Sequence, residues 1–461
     1  MSEWEPVGLP FEGVDGWLRW ALLIGFVVVV IVFCWTLTLA VLAERWSHAT
    51  ARRDRRIAHD GSPAGGSEAD FCWIFLVPAL DEELTIADSI ARLRLVDATR
   101  RLIVVIDDGS TDDTPAILDE LAGEDLVVVR RELPDAQRGK SAALDDAWRR
   151  LPALLAERGM PRDRVITCVV DADGRLAPNA PERIALRMLD TSVGGVQVLV
   201  RIYNRRGLLT WMQDLEFRIM GLLFQGGRSR LGCAGMGGNG QFNRLVALDT
   251  IADSDGPWRD VLTEDQDLGL RLLGQGWTLV HDNGTSVDQQ GPNRLGVLYR
   301  QRTRWAQGNL QAMRLLPTIM RTRSLGVAAR IEQVAALLMP LWQIVVGFAF
   351  ALAAWQILFH DARFFGDAEV TTIVFYILLS FSGVVVGCTM QGWRTGGIIG
   401  LLVGVIVTPL YALYSWLLWP VLIRALLRQT VRRRGWAKTE REQVDPEDRV
   451  PTARRRGGRA R

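Results

Sequence analysis

Residues 17–42 form an almost unbroken apolar stretch, and three further apolar blocks, 334–359, 370–390 and 396–427, crowd the last third of the chain. About 20 such residues suffice to cross a bilayer as a helix. Both ends of this chain therefore need a membrane, and whatever lies between them must fold beside one. The first stretch exceeds a signal-peptide core and has no basic leader, because Glu3, Glu5, Glu12 and Asp15 precede it. Arg45, Arg52, Arg53, Arg55 and Arg56 follow it, so the positive-inside tendency puts residues 1–16 outside and the next segment in the cytoplasm. The expected division is an extracytoplasmic N-terminus (1–16), a transmembrane helix (17–43) and a basic juxtamembrane segment with a linker (44–70). A soluble α/β domain (71–316), an interfacial helix (317–333), a C-terminal membrane region (334–427) and a basic tail (428–461) complete it. Block 396–427 is too long for one crossing and short for two. A break at Thr408-Pro409, making a hairpin or an in-plane arm, would keep the tail inside.

Charge excludes one broad class. Lys+Arg 54 against Asp+Glu 52 leaves a formal net charge of +2, so no global field favours nucleic acid. The basic excess is local, at membrane borders and in the tail. Cys34, Cys72, Cys168, Cys233 and Cys388 lie far apart without CxxC spacing, which points to reduced, mostly buried thiols rather than a zinc ribbon or a disulfide framework.

In the soluble region, compact apolar runs at 71–78, 102–106, 126–129 and 164–170 alternate with helical spacing at 82–95, 111–122 and 139–151. Buried runs joined by helices predict a largely parallel sheet, whose ligands bind beyond the carboxyl ends of the strands. Three of those ends carry acids: Asp81-Glu82-Glu83, Asp107-Asp108 and Asp171-Ala172-Asp173. Such acids also serve as helix caps, the more ordinary reading for the first group. Alternate carboxylates leaving a strand, as in Asp171 and Asp173, suit a hard divalent cation bridging phosphates. Downstream, Thr263-Glu264-Asp265 reads as a helix start that also mounts two acids rigidly. In Gln301-Arg302-Thr303-Arg304-Trp305, Arg304 offers a planar fork suited to a diphosphate and Trp305 a flat face suited to a pyranose. The glycine-rich run 232–241 lacks the GK[ST] ending of a nucleotide P-loop.

Asp107-Asp108-Gly109-Ser110-Thr111-Asp112, Arg138-Gly139-Lys140, Asp171-Ala172-Asp173, Thr263-Glu264-Asp265 and Gln301-x-x-Arg304-Trp305 follow the order seen in membrane-embedded family 2 glycosyltransferases. Over 71–316 the chain resembles the processive polysaccharide synthases of that family, which include bacterial cellulose, chitin, hyaluronan and poly-N-acetylglucosamine synthases. The resemblance implies a GT-A, Rossmann-like fold between membrane helices. It also implies inverting transfer from a nucleotide sugar, by default a UDP-sugar, with Mg²⁺ or Mn²⁺, at a cytoplasmic site on the plasma membrane. By residue, it implies that Asp107 and Asp108 receive the nucleobase and Lys140 the nucleotide or its phosphates. Asp171 would reach ribose or donor sugar, and Asp173 the metal. Asp265, with Glu264 beside it, would be the general base. Gln301 and Arg304 would hold the donor diphosphate, Gln301 being able to bond the acceptor too, while Trp305, Gly232, Cys233 and Gly240 would face the acceptor. Trp436, Thr439 and Arg441 resemble a short gating element near the C-terminus of some synthases.

The expected product is a β-linked polysaccharide exported through the membrane. The small membrane region would then call for a homo-oligomer or an export partner. The alternative is a single sugar added to a lipid acceptor, for which no channel is required. A transporter or receptor with a nucleotide-binding domain fits less well, given the full set of acids and the lack of a Walker loop. Asp81 stands where many relatives have Asn, and the regulation by a cyclic dinucleotide found in large cellulose synthases is not expected here.

Overall fold

In the computed structural model, residues 16–61, 66–360, 377–431 and 443 are described. The first element, α1 (Gly16–Asp60), is one helix of 45 residues, about 67 Å long and more than twice the thickness of a bilayer core. The basic juxtamembrane stretch is thus helical to Asp60, since no Gly or Pro interrupts it before Gly61. Its lower half lies along the α/β domain. Asp54 accepts from Arg183 at 2.8 Å and Arg187 at 2.6 Å, and the Trp46 indole donates to the His281 carbonyl at 3.3 Å.

The domain is built on eight strands: β1 (Cys72–Ala79), β2 (Arg101–Asp107), β3 (Leu126–Arg130), β4 (Val165–Val169), β5 (Arg175–Leu176), β6 (Val193–Ile202), β7 (Gln241–Arg244) and β8 (Thr278–Gln289). Their order is β3-β2-β1-β4-β7-β6-β8-β5. Pairs β3/β2, β2/β1, β1/β4 and β6/β8 are parallel, whereas β7 runs antiparallel to both β4 and β6, and β5 to β8. Helices α3 (Thr114–Glu120), α5 (Ala180–Met188) and α8 (Leu245–Asp249) follow β2, β5 and β7. Period-2 alternation splits the core. Cys72, Ile74 and Leu76 of β1 pack on one face with Leu144 and Leu151 of α4 (Lys140–Glu157), while Trp73, Phe75 and Val77 pack on the other with Ile86, Ile90 and Leu93 of α2 (Ile86–Arg94).

Four later elements carry this domain to the long apolar helices: α6 (Leu208–Ile219), a π-helical turn (Met220–Gln225), α7 (Gly226–Arg230) and α10 (Leu295–Ala312). Between α6 and α10 in sequence, α9 (Glu264–Gly274) mounts the acidic motif. The stretch expected as one interfacial helix is divided: α11 (Leu316–Arg321) ends where Thr322 turns extended, and α12 (Val327–His360) starts after Gly326. Buried Glu332 of α12 accepts from Arg228 of α7 at 2.6 Å and also from the Trp35 indole of α1.

The last element, α13 (Ser382–Thr430), is two helical arms joined by a turn at Gly396 and Gly397. Gly397 has φ 57°, which favours glycine. The arms run antiparallel with their backbones nearly touching, for a Cβ added at Gly392 would lie 2.1 Å from the Gly400 carbonyl oxygen. The break expected at Thr408-Pro409 does not occur; Pro409 lies within the second arm. Helices α1, α12 and α13 are each long and apolar enough to cross a membrane. The expected outer loop at 360–369 lies almost wholly outside the described residues, and the gating residues Trp436, Thr439 and Arg441 entirely so.

Candidate active site

The loops leaving β1 and β2 are braced against each other. Asp81 takes a left-handed backbone (φ 52°), and its carboxylate accepts from the Thr111 N–H at 2.7 Å while its own N–H donates to Ser110 Oγ at 2.9 Å. The Glu82 N–H donates to Thr114 Oγ1 at 2.8 Å. Asp107 accepts from the Ser110 N–H at 3.0 Å and so shapes its own loop. Asp108 is buried but lines a cavity, accepting from the Gln137 N–H at 3.0 Å and ion-pairing with Arg131. Burial raises its pKa, with the Gln137 N–H and Arg131 opposing.

That cavity, about 1440 Å³, extends from Asp108 past Lys140, Asp171, Glu264 and Asp265 to Trp305. Lys140, the first residue of α4, bridges two motifs: its ammonium lies 2.6 Å from Asp171 Oδ1 and 3.6 Å from Glu264 Oε1. Burial alone would depress the lysine, but Asp171 and Glu264 outweigh it and hold Lys140 above its ordinary value. Asp265 is pushed up to about 7 by burial and then by Glu264, with Lys140 opposing. Thr263 occupies the N-cap position of α9 without a side-chain cap bond; a Cβ added at Gly308 of α10 would lie 2.4 Å from Thr263 Cγ2. Two further bonds dock the acidic helix on α10: the Leu262 N–H donates to Gln311 Oε1 at 3.2 Å, and Gln266 donates to Asn309 at 3.2 Å.

The two acids after β4 differ in exposure. Asp171 faces the cavity, whereas Asp173 is only 4% exposed, is absent from the lining and accepts from the Gln290 N–H at 3.0 Å. Among the described residues no three His, Cys, Asp or Glu side chains gather into a metal cage. This donor set suits a cation that takes its remaining ligands from phosphate and water, as Mg²⁺ commonly does. The Lys140 ammonium against Asp171 shows that a positive charge is accommodated there.

On α10, Gln301, Arg304 and Trp305 all reach the cavity, and among the described residues Arg304 has no ion-pair partner. Arg302 is buried between them, with its guanidinium 4.2 Å from the Trp305 ring centroid and 2.8 Å from Glu216 of α6. The glycine-rich loop lines the cavity with Gly235, Met236 and Gly237. The expectation for Gly232, Cys233 and Gly240 is corrected, since none of them reaches the lining. Cys233 bridges to Leu279 and its carbonyl accepts from Gln333, Gly232 turns the chain into that bridge, and Gly240 is wedged against Val198 and Val287. Sequence reasoning also missed the far wall, formed by Met339, Pro340 and Gln343 of α12 and Leu422 and Gln429 of α13. The available signal was an amide, Gln343, inside an apolar span.

Two family models match: "Glycosyl transferase family group 2" over residues 166–428 and "Glycosyl transferase family 2" over residues 74–246. Beta-monoglucosyldiacylglycerol synthase of Nostoc sp. is 34% identical over 241 residues, 51% of this chain and 48% of that protein. The probable glycosyltransferase YdaM of Bacillus subtilis is 31% identical over 51% of this chain and 54% of its own length. Poly-beta-1,6-N-acetyl-D-glucosamine synthase of Staphylococcus aureus is 24% identical over 52% of this chain and 55% of its own. The chain thus spans about half the length of the curated relatives it matches. Among solved structures, the mannosyltransferase PcManGT from Pyrobaculum calidifontis, in complex with GDP-Man and Mn²⁺, superposes with a TM-score of 0.55. The superposition covers 86% of this chain and 100% of that one at 16% identity, which establishes the shared GT-A fold. With one family model spanning more than half of its length and Asp108 and Asp171 from two strand ends lining one cavity, this chain belongs to the family 2 glycosyltransferases.

Proposed function

We propose that this enzyme transfers one sugar, with inversion, from a UDP-sugar to the hydroxyl of a membrane lipid, on the cytoplasmic face of the plasma membrane. One observation carries the reading: a single cavity connects Asp108 and Lys140 at the nucleotide end with apolar Met339, Pro340 and Leu422 on helices that belong in the membrane. An acyl-chain acceptor can enter from the bilayer and present its hydroxyl to Asp265. Similarity to the glucosyldiacylglycerol synthases favours this acceptor over the polymer expected from the resemblance to polysaccharide synthases. Similarity to the poly-N-acetylglucosamine synthase keeps a processive product as the second reading.

In the proposed step, Asp265 takes the proton of the acceptor hydroxyl, whose oxygen forms a bond to the anomeric carbon as the bond to the diphosphate breaks. One carboxylate opposite the leaving group suffices for single displacement with inversion. Asp108 forms the nucleobase end, with Asp107 holding the loop behind it, and Lys140 and Arg304 offset charge on the departing UDP. Asp171 and Asp173 would hold Mg²⁺ or Mn²⁺, which supplies further positive charge to the diphosphate. Trp305 supports the acceptor, with Gln301 and Met236 beside it.

The test is transfer by the purified protein in nanodiscs containing diacylglycerol or ceramide, with polyprenyl phosphate as the acceptor lacking an alcohol hydroxyl, and with UDP-glucose, UDP-N-acetylglucosamine, UDP-galactose and UDP-glucuronate screened in turn. A glycolipid carrying one sugar is expected. A product ladder of rising length would return the assignment to a polymer synthase.

A further inference from the structure

Trp305 does not stand alone in the cavity wall. Arg302, 9% exposed, lies over its ring, and the Phe217 and Trp305 rings make a T-shaped contact with 6.2 Å between centroids. The guanidinium is fixed from behind, because Arg302 Nη2 donates to Glu216 Oε2 at 2.8 Å. The same carboxylate oxygen accepts from the Tyr414 hydroxyl of α13 at 2.7 Å. Tyr414 is itself buried and stacked on Tyr411, with ring centroids 5.8 Å apart. A membrane helix is thereby tied through one shared carboxylate to a cation lying on the ring of the indole.

We propose that Tyr414, Glu216 and Arg302 form a positioning relay through which α13 sets the orientation of Trp305 as the acceptor platform. The inference rests on the reading that the acceptor meets Trp305. A ring covered by Arg302 on one face can receive an acceptor only on the other, so the relay selects which side of the indole is offered. Planar stacking requires a guanidinium, and a lysine ammonium cannot reproduce it. Glu216 joins both donors, so loss of the Tyr414 hydroxyl frees the carboxylate to swing and Arg302 with it.

The relay predicts a split between kinetic constants. Tyr414→Phe removes only the hydroxyl; it is expected to raise the KM for lipid acceptor about three- to tenfold, the size of one ordinary lost hydrogen bond felt indirectly at the ring. Hydrolysis of the donor in the absence of acceptor should be unchanged. Arg302→Lys should raise the same KM further, and its effect should be non-additive with that of Trp305→Ala. The experiment measures acceptor KM, kcat, donor hydrolysis and Tm for Tyr414→Phe, Arg302→Lys, Trp305→Ala and the Arg302/Trp305 double variant in nanodiscs. If Trp305→Ala raises acceptor KM while Tyr414→Phe and Arg302→Lys leave it unchanged, the relay is overturned and the acceptor site stands. If Trp305→Ala itself leaves acceptor KM unchanged, the acceptor reading fails instead. A fall in donor hydrolysis that tracks Tm across the set would reduce the three residues to a structural role and overturn the relay.

Discussion

Asp265 lies at the start of α9, where burial first and Glu264 second raise its proton affinity and the Lys140 ammonium opposes them. Asp265→Asn is expected to lower kcat by about 10²–10⁴-fold, the usual range for a lost general base, with UDP binding retained in calorimetry. A base must be ionised to work, and this carboxyl is pushed up to about 7. The rate should therefore climb about tenfold per pH unit below that value and level off above it. Because Lys140 lowers the Asp265 pKa, Lys140→Gln should move the acid limb of the kcat profile to higher pH. An unmoved limb in stopped-time assays across pH 5–9 would contradict the assignment. Much of this cluster is legible in the sequence, because acids at strand ends are short-range features. The division between Asp171, facing the cavity, and Asp173, buried beneath it, is not, since it depends on where the Gln290 N–H comes to rest, more than a hundred residues later in the chain. Gly232, Cys233 and Gly240 likewise look like acceptor contacts until packing against Leu279, Val198 and Val287 claims them.

Among elements, the union of α9 with α10 matters most, because it holds Asp265 in register with Arg304 and Trp305. Gly308 allows the close approach. Gly308→Val should drive the helices apart, costing about 1–3 kcal/mol of stability by overpacking and lowering transfer more than donor binding. Thermal unfolding and UDP affinity measured on one preparation check this; full activity with an unchanged Tm would contradict it. Strands β1, β2 and β4 could be read directly from their apolar runs. Strand β7 could not, for Gln241, Asn243 and Arg244 are polar yet buried, and their partners come from distant segments; Arg244, for example, donates to the Val193 carbonyl at 2.8 Å. The turn of α13 was equally hidden. A proline is the usual signal for a break, but here the close approach of Gly392 to Gly400 puts the turn at Gly396 and Gly397.

At the scale of the whole molecule, the α/β domain and the long apolar helices are packed against each other rather than being modules on a tether. Asp54 of α1 clamps Arg183 and Arg187, which also pair with buried Asp282, and Glu332 of α12 clamps Arg228. Asp54→Asn removes one carboxylate from this cluster while Asp282 remains. The expected cost is about 1–3 kcal/mol, seen as a lower Tm in nanodiscs; an unchanged Tm would mean that α1 is not docked through this contact. Apolar blocks along the sequence announce the long apolar helices, but not that α12 and α13 wall the same cavity as the loops bearing Asp108 and Asp171. That shared wall is the basis for proposing a lipid acceptor, and counting sugars per acceptor tests the proposal most directly. UDP released and lipid acceptor consumed should be measured together in one reaction with the preferred donor. A ratio of one UDP per lipid is predicted, and a ratio that climbs far above one while the product lengthens would contradict the account.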